Sequence, residues 1–339
     1  MKYKAGMYGG SFNPPHLGHV DCIYRAACQC ERLYLVLSVG NERQEIEPRV
    51  RYRWLYQLTK HLGNVKILFL EDEAPTKADY GPELWQADAE KLKKRIGEKL
   101  DAVFCGSDYG PESFWNVCYP ESEFVVFPRN EMSSTELRRD LYGHWDWLPN
   151  VVKPYFVKKV LLLGGESVGK STLSIHLANR FCTNYVEEAG RTLSEKSGTD
   201  LLMLPEDFTE ILLQHKLNQL HAQEQSNKVL FVDTDALVTR FYMNFLEDRG
   251  IRRNLPLAQA VDALNDYDLV LFLEPEGTIF DDENGHRSAV IAADRRRYSE
   301  QIKALLRESG RDFAVLEGDY LRRYETAVRL VEELLAPNE

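Results

Sequence analysis

Residues 159–172 read KVLLLGGESVGKST. An apolar run leads straight into a glycine-rich loop, and the helical pattern TLSIHLANRF (172–181) follows. Gly164, Gly169, Lys170 and Ser171 satisfy G-x-x-x-x-G-K-[ST]. In a loop of this kind the backbone amides cradle phosphate oxygens, the lysine reaches the terminal phosphates and the hydroxyl ligates Mg²⁺. Gly165, Glu166, Ser167, Val168 and Thr172 complete the predicted phosphate-binding stretch. The flanking strand and helix make this an α/β domain with the loop at a strand end.

Further along, VLFVDTD (229–235) sets Asp233 and Asp235 at the end of an apolar strand. A P-loop fold holds a carboxylate near Mg²⁺ at that point. NYVEEAGR (184–191) puts Glu187, Glu188 and Arg191 after another strand, at the end that faces the ligand crevice. FDDENGHRSAVIAADRRRYSEQ (280–301) reads as a lid, with Arg287 and Arg295 as the arginines that stabilise a transferring phosphoryl group.

Toward the N-terminus, GGSFNPPHLGHV (9–20) follows the first strand. Gly9 and Gly10 allow a tight turn and close approach of Ser11 and Phe12 to a ligand. Pro15 suits the first helical turn, which puts His16 and His19 on one face of it. MSSTELRRD (132–140) supplies Ser133, Ser134 and Thr135 at a helix start and Arg138 one turn on. Two such phosphate-binding segments in one α/β domain predict a nucleotide lying across the top of its sheet.

Apolar strands are expected near residues 2–8, 32–38, 65–70, 102–105, 124–127, 159–163, 229–232, 269–273 and 313–316. Several are continuous rather than alternating, which suits parallel strands covered on both faces. Leu92, Ile96 and Leu100 form one helical stripe, and Leu321, Tyr324, Val328, Val331 and Leu335 another. A boundary is placed near 150, in HWDWLPNVVKPYF (144–156), giving domains 1–150 and 151–339.

The length of 339 residues suits about two domains. A net charge of −11 argues against nucleic-acid binding, which needs a positive field. No apolar run is long enough for a membrane span. Six cysteines without metal spacing suit a reduced, cytoplasmic protein.

The HxGH of His16–His19 and the SSTxxR of Ser133–Arg138 resemble the nucleotidylyltransferase superfamily, whose members join ATP to an acceptor and release pyrophosphate. Followed by a P-loop kinase, with RYRWL (51–55), LGGESVGKS, EAGR (188–191), VDTD (232–235) and DDENGHR (281–287) in order, the chain resembles the NadR-type bifunctional enzymes. The resemblance implies a Rossmann-like nucleotidylyltransferase domain and a P-loop kinase domain, both with parallel sheets flanked by helices. It implies phosphorylation of nicotinamide riboside by the second domain and adenylylation of nicotinamide mononucleotide to NAD by the first, with ATP as co-substrate and Mg²⁺ as cofactor.

On that resemblance Gly9, Gly10, Ser11, Phe12, His16, His19, Ser133, Ser134, Thr135 and Arg138 bind ATP in the first domain. Trp85 is either a stacking platform for the pyridinium ring or a structural tryptophan, and Asp108 lies at the adenylyl site. In the second, residues 164–172 with Arg287 and Arg295 bind ATP. Glu188 and Asp233 share the metal and base roles in an order left open, and Arg191 and Asp235 contact substrate. The small-molecule partners are ATP, nicotinamide riboside, nicotinamide mononucleotide and NAD; a homo-oligomer is compatible with the sequence. Family members often begin with a DNA-binding helix-turn-helix, which is not expected here because the first strand starts at Lys2. The GGSFNPPHLGH stretch reads more like nicotinate mononucleotide adenylyltransferases, so the choice between nicotinamide and nicotinate stays open. The alternatives are a pantetheine phosphate acceptor with a different nucleoside kinase, or a regulator that senses ATP and NAD without turnover.

Overall fold

In the first half, β1 (Tyr3–Gly10) is buried at every position but Lys4. Its alternate side chains serve two cores, as the pleat requires. Tyr8 joins Ile23, Ala26 and Leu55 on one face, while Ala5 and Met7 join Ala89, Leu92 and Trp115 on the other. Helices on both faces explain why the strand reads as one apolar run. The structure is a computed structural model describing residues 1–40, 45–76, 78–107, 109–110, 112–128, 132–190, 193, 197, 202–246, 248–276 and 294–337.

Two compact units are present, Met1–Lys153 and Pro154–Ala336. In the first, β1 is followed by α1 (Leu17–Gln29), β2 (Cys30–Gly40), α2 (Pro48–Thr59), β3 (Val65–Asp72), α3 (Pro82–Ile96), β4 (Ala102–Gly106), α4 (Phe114–Val117), β5 (Glu123–Phe127) and α5 (Ser134–Arg139). The sheet is parallel, ordered β3-β2-β1-β4-β5. The chain works outward from β1 to β3 and then returns to β4 on the other side. That reversal opens a crevice at the carboxyl end of β1, where Gly9 and Gly10 stand.

The second unit follows α6 (Lys153–Phe156) with β6 (Lys158–Gly164), α7 (Lys170–Arg180), β7 (Tyr185–Val186), α8 (Pro205–Gln225), β8 (Val229–Asp233) and α9 (Ala236–Phe245). Then come α10 (Arg249–Arg252), α11 (Leu255–Ala263), β9 (Leu269–Leu273), α12 (Arg295–Glu308), β10 (Ala314–Leu316) and α13 (Tyr320–Leu334). Its parallel sheet runs β10-β9-β6-β8-β7, so β6 again stands where the winding reverses.

Three local expectations need correction. Gly97, at φ 70°, ends α3 in a left-handed cap, so Leu100 is buried from the loop beyond rather than from the helix stripe. Leu321 is 62% exposed; the apolar face of α13 starts at Tyr324 and is centred on Ala327 and Val331. Pro15 precedes the first helix instead of opening it, because His16 is the N-cap of α1. Among the described residues no helix is long and apolar enough to cross a membrane.

Two candidate nucleotide sites

In the first unit β1 runs into a loop whose Phe12 is buried with a left-handed φ of 47°. His16, fully buried, caps α1, and its backbone N–H donates to His19 Nδ1 at 3.2 Å. With Nδ1 accepting, the proton of a neutral His19 ring sits on Nε2, the edge turned from that bond and suited to donate to an anion. The two imidazoles lie 3.8 Å apart between centroids, and Phe12 meets His19 edge-on at 5.1 Å. Gly18 completes the motif for a steric reason. A Cβ there would stand 3.0 Å from His16 Nδ1 and 3.1 Å from its Cε1.

The SSTxxR segment is brought to this same loop. Ser133 Oγ accepts the Glu136 N–H at 3.0 Å and so caps α5. Ser134 Oγ donates to the Pro14 carbonyl at 3.1 Å, and Arg138 Nη1 to the Asn13 carbonyl at 2.6 Å. Arg138 Nη2 also donates to Thr135 Oγ1 at 3.3 Å, leaving further N–H groups of an exposed guanidinium for a phosphate.

Gly9 is constrained on its Cβ side by the core. A Cβ there would lie 2.1 Å from the Trp115 ring, so the glycine makes room for a core aromatic. Gly10 has only ordinary contact, its nearest neighbour being Phe12 at 3.4 Å. Trp85 sits half-buried in the same aromatic group, 6.2 Å from Phe114, with its indole N–H donated to the Tyr80 carbonyl at 2.8 Å. These contacts give it a packing role. Asp108 lies outside the described residues. Arg51 was not assigned a role from sequence. It is fully buried, donates from Nη1 to the carbonyls of Ser11 (2.7 Å) and Ser38 (3.2 Å), and pairs with Glu45 at 2.9 Å. The Ile46 N–H adds a bond to Asn13 Oδ1 at 3.1 Å. The loop is therefore held from α2 on one side and α5 on the other.

In the second unit the loop after β6 has the backbone of a phosphate nest. Ser167 (φ 52°) and Gly169 (φ 90°) are left-handed, and Gly164, at φ 150°, has no room for a Cβ against the Leu273 carbonyl. Lys170 Nζ folds over the loop to the carbonyls of Gly165 (2.9 Å) and Gly164 (3.3 Å). Tyr242 donates to Glu166 Oε1 at 2.7 Å, Val168 is buried, and Thr172 is exposed on α7.

Ser171 Oγ donates to Asp233 Oδ2, joining the start of α7 to the end of β8. Asp233 is 1% exposed, and Thr234 donates to its other oxygen at 3.1 Å. A hydroxyl and a carboxylate side by side are hard oxygen donors of the kind Mg²⁺ takes, with substrate phosphates and water filling the rest. Among the described residues no group of three or more acidic, histidine or cysteine ligands exists. Glu188 follows β7, the strand paired with β8 through Val186 and Val232, so it stands at the same end of the sheet.

Asp235 was expected to contact substrate, and its bonds point elsewhere. It caps α9 through the Leu237 N–H at 3.0 Å and pairs with Arg311 at 3.3 Å. Arg311 in turn holds Asp262 at 2.7 Å. Burial, with Asp262 beside it, pushes the Asp235 pKa up to about 6. Arg295 reaches the loop as expected, but at its carbonyls: Nη2 donates to Ser167 at 3.1 Å and Glu166 at 3.4 Å. Arg191 and Arg287 lie outside the described residues.

Each half thus presents a phosphate loop at the switch point of a parallel sheet, which defines a nucleotidylyltransferase-type domain followed by a P-loop domain. The cytidylyltransferase-like family matches residues 7–148 and an AAA-domain family residues 159–323. The chain is 30% identical over 351 residues to the trifunctional NAD biosynthesis/regulator protein NadR of Escherichia coli (strain K12), covering 99% of this chain and 84% of that protein. The chain belongs to the NadR family. The fold also matches a crystal structure of NadR in complex with NR (TM-score 0.78, 22% identity, 99% of this chain and 97% of that one). A second, of NadR in complex with NAD and AMP-PNP, matches with TM-score 0.79 and 23% identity over 99% and 98%.

Proposed function

We propose that this chain makes NAD from nicotinamide riboside in two ATP-dependent steps. The second domain (151–339) transfers the ATP γ-phosphoryl group to the riboside 5′-hydroxyl, giving nicotinamide mononucleotide and ADP. The first (1–150) lets the mononucleotide phosphate attack the α-phosphorus of a second ATP, forming NAD and expelling pyrophosphate. The observation that carries this reading is the pair of complete phosphate loops in one chain that aligns with NadR along 99% of its length.

In the first domain the His19 Nε2–H, His16, Arg138 and the hydroxyls at 133–135 support charge building on the leaving pyrophosphate. No covalent intermediate is needed, and rate comes from alignment and electrostatics. In the second, Lys170 and the loop amides hold the transferring phosphates, with Arg295 and Arg287 adding positive charge. Ser171 and Asp233 would hold Mg²⁺, which would supply charge neutralisation on the phosphates. Glu188 accepts the proton of the 5′-hydroxyl as Asp233 remains with the metal. ATP and nicotinamide mononucleotide are small phosphate compounds, which suits an acidic, cytoplasmic protein with local basic groups.

An acceptor panel tests the first domain's assignment. With ATP and Mg²⁺, nicotinamide mononucleotide should give NAD and pyrophosphate, measured by chromatography. Turnover of nicotinate mononucleotide or pantetheine phosphate alone would reassign the acceptor.

A further inference from the structure

Among the described residues the two largest fully buried side chains are arginines, Arg51 and Arg323. Each lies against the phosphate loop of its own domain. Arg323 comes from α13, 155 residues beyond the loop it meets. Its Nη1 donates to the Val168 carbonyl at 3.2 Å, its Nε to Gly318 at 2.9 Å, and its Nη2 to the carbonyl of Glu276, just past β9. All three acceptors are main-chain oxygens. Taking a cation out of water costs several kcal/mol, and an apolar chain of similar length would fill the same space.

Peptide planarity turns these bonds into an orientation. Across a trans peptide the C=O of one residue and the N–H of the next point in opposite directions. Fixing the Val168 carbonyl against Arg323 therefore aims the Gly169 N–H the other way. Arg295 does the same to the two preceding peptides through the carbonyls of Glu166 and Ser167. The left-handed φ values at Ser167 and Gly169 are what a concave row of amides requires.

We propose that Arg323 is a positioning residue of the kinase site: it fixes the Val168–Gly169 peptide from behind so that the loop amides face the ATP phosphates. This rests on reading residues 164–172 as the ATP loop. A lysine at 323 keeps the charge but offers a single ammonium, not a fork that spans three carbonyls. A methionine keeps the volume and removes both charge and donors.

The test uses full-length Arg323→Lys and Arg323→Met. Kinase KM for ATP and for nicotinamide riboside are measured separately, with thermal unfolding of the full-length chain as the check on folding and adenylyl transfer by the same sample as the check on the first domain. A non-hydrolysable ATP analogue is also titrated; the binding component that Lys170→Ala loses is the P-loop's. The expected result is a rise of about tenfold or more in KM for ATP and in the Kd of that component. KM for the riboside and adenylyl transfer should stay within about twofold. A lower kcat at unchanged KM for ATP would overturn the proposal, because that is what a smaller folded fraction produces. If the lysine variant loses its cooperative unfolding transition, the methionine variant decides; loss of it in both would mean that Arg323 serves the fold, and would overturn the proposal. If the wild type leaves nicotinamide riboside unphosphorylated, the kinase assignment fails, and the titration still decides on Arg323.

Discussion

Arg138 donates to the Asn13 carbonyl at 2.6 Å across 125 residues of sequence. With Ser134 on the Pro14 carbonyl, it joins the HxGH loop and the SSTxxR helix into one site. A lysine at 138 would keep a charge but could not hold Asn13, Thr135 and a phosphate together. Arg138→Lys should lower kcat/KM of adenylyl transfer by about tenfold or more while kinase activity is unchanged. Equal adenylyl transfer in both proteins, measured with limiting ATP and saturating mononucleotide, would remove Arg138 from the site.

Gly18→Ala offers a graded probe of His16. The added methyl would meet the imidazole at 3.0 Å, and the ring must shift by a few tenths of an ångström. Small misplacements of this kind lower rates by up to roughly 10²-fold, whereas alanine in a helical first turn costs little stability. Adenylyl transfer should drop with a melting temperature near wild type.

Gly9 and Gly10 should part company on substitution. Gly9→Ala drives a methyl into the Trp115 ring, and overpacking of that kind costs about 1–3 kcal/mol or more. Gly10→Ala meets only ordinary contact. Denaturant unfolding should show the first destabilised well beyond the second; equal stabilities would mean that Trp115 relaxes freely.

Ser171→Ala and Asp233→Asn remove the two oxygen donors proposed for Mg²⁺. Each should raise the Mg²⁺ concentration needed for half-maximal kinase activity, and neither should change adenylyl transfer. An unaltered Mg²⁺ dependence in both would place the ion elsewhere.

The strands and both phosphate loops were legible because their signals are local. An apolar run ending in GGESVGKST, or a strand followed by HxGH, carries its meaning within a dozen residues. What escaped notice depends on contacts across the fold. Nothing near Arg323 or Arg51 marks a buried guanidinium on loop carbonyls, since the phosphate-loop carbonyls they reach, Val168 and Ser11, lie 155 and 40 residues away. Gly9 looks like a ligand-approach glycine until Trp115 is seen over it. Asp235 shares its short motif with Asp233, yet the strand ends at Asp233 and the left-handed Thr234 turns the chain, so Asp235 caps α9 and meets Arg311 instead. Leu100 has the right spacing for the helix stripe, and Gly97 stops the helix first.

The division of labour is tested most directly by following products when nicotinamide riboside, ATP and Mg²⁺ are mixed with the wild type, Lys170→Ala and His19→Ala, using mass spectrometry over time. A two-site enzyme gives mononucleotide and then NAD with the wild type. Lys170→Ala should form neither from the riboside but still convert added mononucleotide to NAD, and His19→Ala should stop at mononucleotide. Loss of both activities from either change in a still-folded protein, or a wild type that never proceeds beyond mononucleotide, would contradict it.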